Sequence, residues 1–376
     1  MQTITHKKLK DELSRLGMGN MRLPQKDGEI DYPKAEKMID YLFEQGVNYY
    51  DTAYFYHGGK SEDFVRKAVV ERYPRDSYYI ADKLPVGWID KKEDVEPTFN
   101  TQIERLGVDV IDYYLLHALN KDSWEKAKRF GIDEFQRELK RQGKVRHIGF
   151  SFHDSPDVLE QILNEGEWDF VQLQINYLDW YKYEADKIYE SCVKRDIPII
   201  IMEPIRGGSL ANLHPQVKGI FEAHSPDRTL ASWALRWVAN LPQVAVILSG
   251  MTEMEHCIDN VATFKSIEPF SEAEHTAIKA AMTEMDQLPT VPCTDCKYCI
   301  DCPIEIDIPG LFTKYNNYIT FGQQWQLTEA YLGKVDMDKL ADKCIECGAC
   351  EEVCPQRINI IHEIARIHNE AVALQA

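Results

Sequence analysis

Four residues with ionisable side chains end or follow short apolar runs in the first third of the chain: Asp51, Tyr56, Lys83 and His117. A carbonyl group that accepts hydride must also gain a proton, and a phenol with a pKa of about 10 donates one well only in a tuned environment. A nearby ammonium group lowers that pKa, a carboxylate keeps the ammonium charged, and an imidazole can orient the carbonyl oxygen. These four residue types therefore predict an exchange between a carbonyl and an alcohol.

Each of the four also has a purely structural interpretation when it is taken alone. Tyr56 could pack against its neighbours, His117 could be a hydrogen-bonded residue at a strand end, and Lys83 could form a buried ion pair. The functional interpretation is favoured because all four are expected at the carboxyl ends of consecutive strands or in the loops that follow.

A second group of reactive side chains is formed by cysteines. Eight of the ten cysteines follow residue 290, in the runs Cys293-Thr-Asp-Cys296-Lys-Tyr-Cys299-Ile-Asp-Cys302-Pro303 and Cys344-Ile-Glu-Cys347-Gly-Ala-Cys350-Glu-Glu-Val-Cys354-Pro355. Such crowding in a chain whose first residues lack the apolar core of a secretory signal favours metal binding and a cytoplasmic location. The second run has the ligand spacing of bacterial iron–sulfur proteins, and the first has one residue fewer before its last cysteine. Zinc is the alternative, although zinc sites usually use separate Cys-x₂-Cys pairs.

The elements that must position these side chains alternate between apolar runs and amphipathic helical patterns. The predicted strands are Arg15–Met18, Val47–Asp51, Tyr78–Leu84, Ile111–His117, Val145–Ser151, Phe170–Gln174, Ile197–Glu203 and Val244–Ser249. The predicted helices are Pro33–Gln45, Ser61–Glu71, Glu93–Leu106, Trp124–Arg141, Pro156–Asn164, Glu184–Arg195, Thr229–Asn240 and Glu253–Phe264. Eight strand–helix units predict parallel strands joined by helical crossovers.

A closed (β/α)₈ TIM barrel is favoured over an open, doubly wound α/β sheet. The open sheet would usually carry a glycine-rich phosphate turn after its first strand, and the sequence Gly-Met-Gly-Asn-Met-Arg-Leu-Pro lacks that spacing. Composition becomes cysteine-rich after Pro289 and Pro292. We therefore predict a barrel domain over residues 1–288 and a small cluster domain over residues 289–376.

The barrel region resembles the aldo-keto reductase family over about residues 12–285. The residues that carry the resemblance are Asp51-Thr-Ala-Tyr-Phe-Tyr56 with Ser61-Glu62, Lys83, Leu115-Leu116-His117, Ile148-Gly-Phe-Ser151, Val171-Gln172 before Asn176-Tyr177, and Asp259-Asn260. This resemblance implies a catalytic tetrad. In it Tyr56 donates the proton, Lys83 and Asp51 tune it, and His117 orients the substrate.

The same resemblance implies a nicotinamide cofactor that extends across the mouth of the barrel. The expected cofactor-binding residues, besides Asp51, are Ser151, Gln172, Met202, Arg206, Ser249, Gly250, Met251, Thr252 and Asn260. Members that prefer NADPH hold its extra phosphate with basic residues in the last of these segments, whereas residues 248–260 contain no Lys or Arg. A dianionic phosphate without a cation would be held poorly, so we expect NAD(P)H without NADPH preference, and NADH or no nicotinamide as alternatives.

The two cysteine runs resemble those of bacterial two-cluster ferredoxins. The resemblance implies two 4Fe–4S clusters with crossed ligation. One cluster would be held by Cys293, Cys296, Cys299 and Cys354, and the other by Cys302, Cys344, Cys347 and Cys350.

The formal net charge of −18 argues against a nucleic-acid partner, because phosphate binding requires clustered Lys and Arg. No apolar stretch is long enough to span a membrane. The leading hypothesis is an oxidoreductase that interconverts a carbonyl and an alcohol and exchanges electrons with a second protein or a cofactor through the clusters. The alternatives are a non-catalytic redox-sensing or electron-transfer protein with a retained barrel, and a nicotinamide-dependent reductase with purely structural clusters.

Overall fold

The computed structural model describes residues 1–375. Its eight parallel strands are β1 (Leu16–Gly19), β2 (Tyr49–Asp51), β3 (Tyr79–Leu84), β4 (Ile111–Leu119), β5 (Val145–Phe152), β6 (Phe170–Gln174), β7 (Ile199–Met202) and β8 (Val244–Ser249). They close in the order β6-β7-β8-β1-β2-β3-β4-β5. The predicted TIM barrel is therefore confirmed. Two short antiparallel pairs, Thr3–Thr5 with Glu12–Ser14 and Gln25–Lys26 with Glu29–Ile30, lie outside it.

The α-helices follow the strands in the expected order. They are α1 (Tyr32–Glu44), α2 (Ser61–Val65), α3 (Val95–Leu106), α4 (Lys121–Phe130), α5 (Ile132–Arg141), α6 (Pro156–Glu165), α7 (Tyr177–Lys182), α8 (Ala185–Val193), α9 (Pro215–His224), α10 (Leu230–Ala239), α11 (Met254–Lys265), α12 (Glu272–Gln287), α13 (Ile308–Phe321), α14 (Trp325–Thr328), α15 (Ala349–Glu352) and α16 (Ile360–Gln375).

Two of the predicted helices differ from the observed ones. The predicted helix Trp124–Arg141 is divided into α4 and α5 by Gly131, whose φ of 68° is left-handed and ends α4 as a helix cap. The predicted helix Ser61–Glu71 begins as α2 and continues as a π-helical turn over Arg66–Val70. Neither change moves a strand.

Side chains alternate along each strand, so the core residues and the residues of the candidate site lie on the same face of the strands. Tyr49, Ala81, Leu115, Phe170 and Ile200 are buried together in one apolar cluster. Two residues further along each strand the side chain faces the same way, at the carboxyl end of the barrel. The residues at those positions are Asp51, Lys83, His117, Gln172 and Met202.

Packing groups the chain into two compact units. One contains Met1–Gly207 and Ala231–Ser271, and the other contains Gly208–Leu230 and the chain from Glu272 onward. Within the second unit, α9 packs on α12. Its apolar core consists of Val291, Ile306, Ile308, Leu311, Phe312, Tyr315, Leu327, Tyr331, Ala341, Ile358, Ile360, Ile364, Ile367 and Ala371. The division into domains 1–288 and 289–376 was drawn from composition and stays a prediction.

Within residues 1–375, the helices are all too short or too polar to cross a lipid bilayer.

Candidate active site at the carboxyl end of the barrel

A buried ion pair lies at the centre of the candidate site. The Nζ atom of Lys83 donates to Oδ1 of Asp51 at 2.6 Å and to the main-chain oxygen of Thr52 at 2.6 Å. The Lys83 side chain is fully buried and that of Asp51 is 4 % exposed. Burial alone would lower the pKa of Lys83, but the charge of Asp51 and its hydrogen bond to Lys83 raise it above its usual value. The ammonium group is therefore charged at neutral pH.

Tyr56 lies beside this ammonium group. The Nζ atom of Lys83 is 5.0 Å from the centre of the Tyr56 ring. A tight turn through His57, Gly58 and Gly59, with φ values of 53°, 65° and 86°, follows Tyr56 and leads into α2. Two of the three residues are glycines, which adopt this left-handed conformation without steric cost.

The pKa of Tyr56 corrects one expectation from the sequence. The Lys83 charge lowers this pKa, as predicted, but burial raises it by more and the Asp51 carboxylate adds to the rise. The net result is a pKa above the ordinary value of 10.0. The phenol therefore keeps its proton throughout the neutral range.

His117 is held by aromatic stacking. Its ring lies parallel to Phe55, with an interplanar angle of 2° and centroids 4.8 Å apart, and Phe55 in turn stacks on Trp88 at 5.0 Å. The ring of His117 meets Tyr56 edge to face at 5.8 Å. Its Nδ1 atom is buried and has no hydrogen-bond partner among residues 1–375. Stacking replaces the hydrogen bond that usually fixes an imidazole.

Burial lowers the pKa of His117 well below 6.5, and the charge of Lys83 lowers it further. The imidazole is therefore neutral at neutral pH. A neutral imidazole carries one N–H group, which can donate to a carbonyl oxygen in the site.

A layer of buried polar residues beneath Lys83 was not predicted from the sequence. Oδ1 of Asp82 accepts from the main-chain N–H of Lys83 at 2.8 Å, and Nε2 of Gln102 donates to Oδ2 of Asp82 at 2.7 Å. Glu62 is buried and pairs with Arg105 at 2.8 Å. Burial, followed by the charge of Glu62, raises the pKa of Asp82 well above its usual range. Glu62 belongs to the Ser61-Glu62 motif, whereas no sequence pattern points to Gln102.

Three predicted cofactor residues, Ser151, Gln172 and Met202, lie on the neighbouring strands β5, β6 and β7. Ser151 is buried, and its Oγ accepts from the main-chain N–H of Ala118 at 2.8 Å. Nε2 of Gln172 lies 3.5 Å from Sδ of Met202. Oε1 of Gln172 is buried without a hydrogen-bond partner in the described chain, and so is Oδ1 of Asn20. An amide group of a ligand would supply a donor to the Gln172 oxygen, so Gln172 and its register partner Ser151 fit the carboxamide of a nicotinamide ring.

The predicted segment after β8 is partly buried. Asn260 donates from Nδ2 to Oγ of Ser249 at 3.0 Å, so these two side chains are close together. Met251 is buried, Gly250 is exposed, and Thr252 lies 3.4 Å from Nδ1 of His256. The segment therefore presents main chain and small polar groups rather than a cation.

A cation beside this segment is Arg22, which sequence analysis missed. Its side chain passes so close to Gly250 that a Cβ atom there would lie 3.3 Å from the Cβ of Arg22. Its Nη1 donates to Oε1 of Glu203 at 3.0 Å. Arg206, the predicted cation, pairs through its Nε with Asp179 at 3.0 Å, and its role at the cofactor stays a prediction. The short loop after β1 that contains Arg22 gave no recognisable phosphate-binding pattern.

The eight clustered cysteines line two cavities in the second compact unit. One cavity is lined by Cys293, Cys296, Cys299 and Cys354. The other is lined by Cys302, Cys344, Cys347 and Cys350, with Cys299 between the two cavities. Each set of four cysteines lines the wall of a cavity and does not meet at a position for a single metal ion. Across residues 1–375, no three His, Cys, Asp or Glu side chains come close enough together to hold a single metal ion.

Comparisons with known proteins separate the chain into two matched regions. Residues 15–283 match the sequence model of the aldo/keto reductase family. Residues 292–359 match that of a 4Fe-4S dicluster domain. The C-terminal region thus carries a ferredoxin-type cluster domain, as predicted.

The similar curated proteins match the barrel region. The NADH-specific methylglyoxal reductase of Escherichia coli is 26 % identical over 304 residues, which cover 66 % of this chain and 89 % of that protein. A probable aldo-keto reductase 1 of Glycine max is also 26 % identical, over 66 % of this chain and 80 % of its own length.

Similar solved structures share the fold. Aldo-keto reductase AKR11C1 from Bacillus halodurans, in its holo form, superposes with a TM-score of 0.63 at 24 % identity, over 75 % of this chain and 96 % of its own. An aldo-keto reductase from Klebsiella pneumoniae in complex with NADPH gives a TM-score of 0.59 at 21 % identity, over 74 % and 95 %.

We predict that the imidazole of His117 stays neutral at pH 6.5, where an ordinary histidine is about half protonated. The reason is its burial and the nearby Lys83 charge, both of which lower its pKa. Nitrogen-15 NMR of histidine-labelled protein measures the titration directly, and Lys83→Met should move the midpoint upward. A wild-type midpoint at or above 6.5 would contradict this description of the site.

Proposed function

Because this chain belongs to the aldo/keto reductase family, we propose that its barrel interconverts a carbonyl and an alcohol at Tyr56, and that two 4Fe–4S clusters exchange electrons with this reaction. One observation carries the barrel part of the proposal. The ammonium of Lys83 is buried, paired with Asp51 at 2.6 Å, and lies 5.0 Å from the ring of Tyr56.

Each residue of the tetrad then has a separate role in the proton transfer. Tyr56 holds the proton at its hydroxyl oxygen and gives it to the carbonyl oxygen as the alcohol forms. The Lys83 charge stabilises the phenolate that Tyr56 leaves behind, and Asp51 keeps Lys83 in place. A bound nicotinamide cofactor supplies the hydride. The neutral imidazole of His117 donates its N–H to the carbonyl oxygen and fixes the substrate's orientation.

Phe55 and Trp88 form an apolar wall beside this carbonyl position. Phe55 covers one face of His117, and Trp88 covers the outer face of Phe55 while remaining 67 % exposed itself. An apolar wall excludes water from the reacting atoms and strengthens the effect of the Lys83 charge.

We propose that the nicotinamide carboxamide is held by Gln172 and Ser151. The buried oxygen of Gln172 needs a donor, and an amide group provides it. Ser249, Gly250, Met251, Thr252 and Asn260 would hold the adenosine end, with Arg22 at the phosphates. Met202 would lie against the ring.

We propose NADH as the preferred cofactor. Arg22 is the cation beside Gly250, and Glu203 already neutralises part of its charge. The additional phosphate of NADPH therefore has no unshared cation to bind in this region. A relative at 26 % identity is described as an NADH-specific reductase, which agrees with this choice.

We propose crossed ligation of the two clusters. Cys354, from the second run, lines the same cavity as Cys293, Cys296 and Cys299. Cys302, from the first run, lines the cavity of Cys344, Cys347 and Cys350. Four thiolates around each cavity suit the corners of a 4Fe–4S cube, which when bound carries one electron at a time. Thiolate ligands of this kind are typical of the reducing cytoplasm, where we place the protein.

We predict that Tyr56→Phe lowers kcat for carbonyl reduction by about 10³-fold, because it removes the proton donor. Anaerobic assays with a carbonyl panel measure this rate, and fluorescence titration should show unchanged NADH affinity. Tyr54→Phe is the matched control, because it removes a phenol from the same segment and should leave the rate within a few-fold. Equal losses in the two variants would refute the assignment of Tyr56.

We predict that His256→Arg raises the affinity for NADPH by roughly tenfold, since it adds a charge-assisted partner for the extra phosphate. Fluorescence titrations of wild type and variant with NADH and NADPH measure the effect. The control is His224→Arg, which places the same charge on α9. A wild type that binds NADPH more tightly than NADH would overturn the cofactor preference.

We predict that the anaerobic protein is brown, contains about eight iron atoms per chain and bleaches on reduction. Cys354→Ser and Cys302→Ser should each reduce the iron content by about half, because each removes a ligand from one cluster. Cys257→Ser, at a buried cysteine outside the two runs, should retain all the iron. Colourless protein with stoichiometric zinc would contradict the electron-transfer part. Equal turnover with and without clusters would favour purely structural clusters.

A further inference from the structure

Exposed apolar side chains surround the cavity of Cys302, Cys344, Cys347 and Cys350. Tyr298, Ile345 and Val353 all line this cavity and are 66 %, 59 % and 47 % exposed. Ile300, between two residues that line it, is 58 % exposed. These four residues are called the cluster patch below. Large apolar side chains grouped in this way on a protein surface commonly mark an interaction site.

The cluster patch reaches both cavities. Tyr298 lines the cavity of Cys302 and also the cavity of Cys293, while its ring remains largely exposed. The cavity of Cys293 is also lined by Phe312 and Ile360, which are both buried. A partner seated on the patch would therefore approach both clusters from one side of this unit.

Acidic residues border the cluster patch. Asp301 lines the cavity, Glu346 lies between Ile345 and Cys347, and Glu352 precedes Val353. All three are exposed, and none forms a salt bridge in the part of the chain that the structure describes. Lys297 is the one basic residue directly next to the patch in sequence, and Asp295 lies 3.8 Å from it. The border is therefore negative.

We propose that the cluster patch is the docking surface for a one-electron carrier protein whose cofactor is surrounded by basic residues. The apolar centre would exclude water where the two cofactors approach, and the acidic border would orient the basic partner. The negative border also opposes anionic lipid and nucleic acid, so a protein is the occupant that fits the charge.

This inference rests on the proposed clusters and names their partner. Each encounter transfers one electron, so that the cluster is oxidised by one electron and the partner's cofactor is reduced by one. Two such encounters oxidise both reduced clusters of one chain, by one electron each. No atom is exchanged between the proteins.

The experiment uses cytochrome c, a basic haem protein, as the probe. The anaerobic full-length protein is reduced, freed of reductant and mixed with ferric cytochrome c in a stopped-flow instrument. We expect the second-order rate constant to fall by roughly tenfold or more between low salt and an ionic strength of about 0.15 M. Glu346→Gln should slow the reaction about threefold at low salt, and Ile345→Ser should slow it at every salt concentration.

Glu329→Gln is the matched control, because Glu329 is exposed in the same unit and lines neither cysteine cavity. Reduction of a small neutral quinone should proceed equally in all variants. Calorimetric titration of the oxidised protein with cytochrome c gives a second readout, in which Glu346→Gln and Ile345→Ser weaken binding and Glu329→Gln does not.

The proposal is overturned if Glu346→Gln and Glu329→Gln react and bind alike, or if salt leaves the rate unchanged. Iron content and bleaching by dithionite are measured on every sample beforehand. Protein that lacks iron contradicts the proposed function, whereas protein that is fully loaded but insensitive to the patch variants contradicts only the docking surface.

Discussion

The burial of one charged lysine determines the arrangement of the rest of the barrel site. Removing an ammonium and a carboxylate from water costs several kcal/mol per ion unless both are paired and hydrogen-bonded. Lys83 meets this requirement through Asp51 and the Thr52 oxygen, which occupy two of its three donors. The Lys83 charge then lowers the pKa of both Tyr56 and His117. It stabilises a phenolate and disfavours an imidazolium, while burial, the larger effect at both residues, keeps Tyr56 protonated and His117 neutral.

The barrel supplies this arrangement through strand register. Asp51 pairs with Ala81, and Lys83 pairs with Leu115 on the next strand, so successive strands carry their polar residues to the same end. Residues two positions earlier fill the core. Because the core residues are large and tightly packed, a shift of one residue would turn the polar groups away from the mouth and the apolar groups out of the core. Packing and chemistry thus depend on the same register.

Most of the fold could be predicted from the sequence, because apolar periodicity and the strand–helix alternation are local signals. The eight strands begin and end within two residues of the predicted bounds. The tetrad residues could be named because they lie in short motifs. Gln102 and Arg22 could not, since their partners Asp82 and Glu203 are 20 and 181 residues away in the chain. The division of one helix at Gly131 also escaped prediction, because helical periodicity continues across it.

The protonation of Tyr56 shows a different limit. The sign of the Lys83 effect follows from residue type, but the opposing effect of burial depends on how completely the surrounding chain closes over the ring, which no motif encodes.

This raised pKa makes the two directions of the proposed reaction unequal. A phenol that retains its proton is always ready to act as an acid, whereas alcohol oxidation requires a phenolate that can take a proton up. At neutral pH the phenol of Tyr56 is protonated, which is the form that the proposed carbonyl reduction uses. The burial of a single ring therefore favours the protonated form of the residue that we propose as the acid in carbonyl reduction.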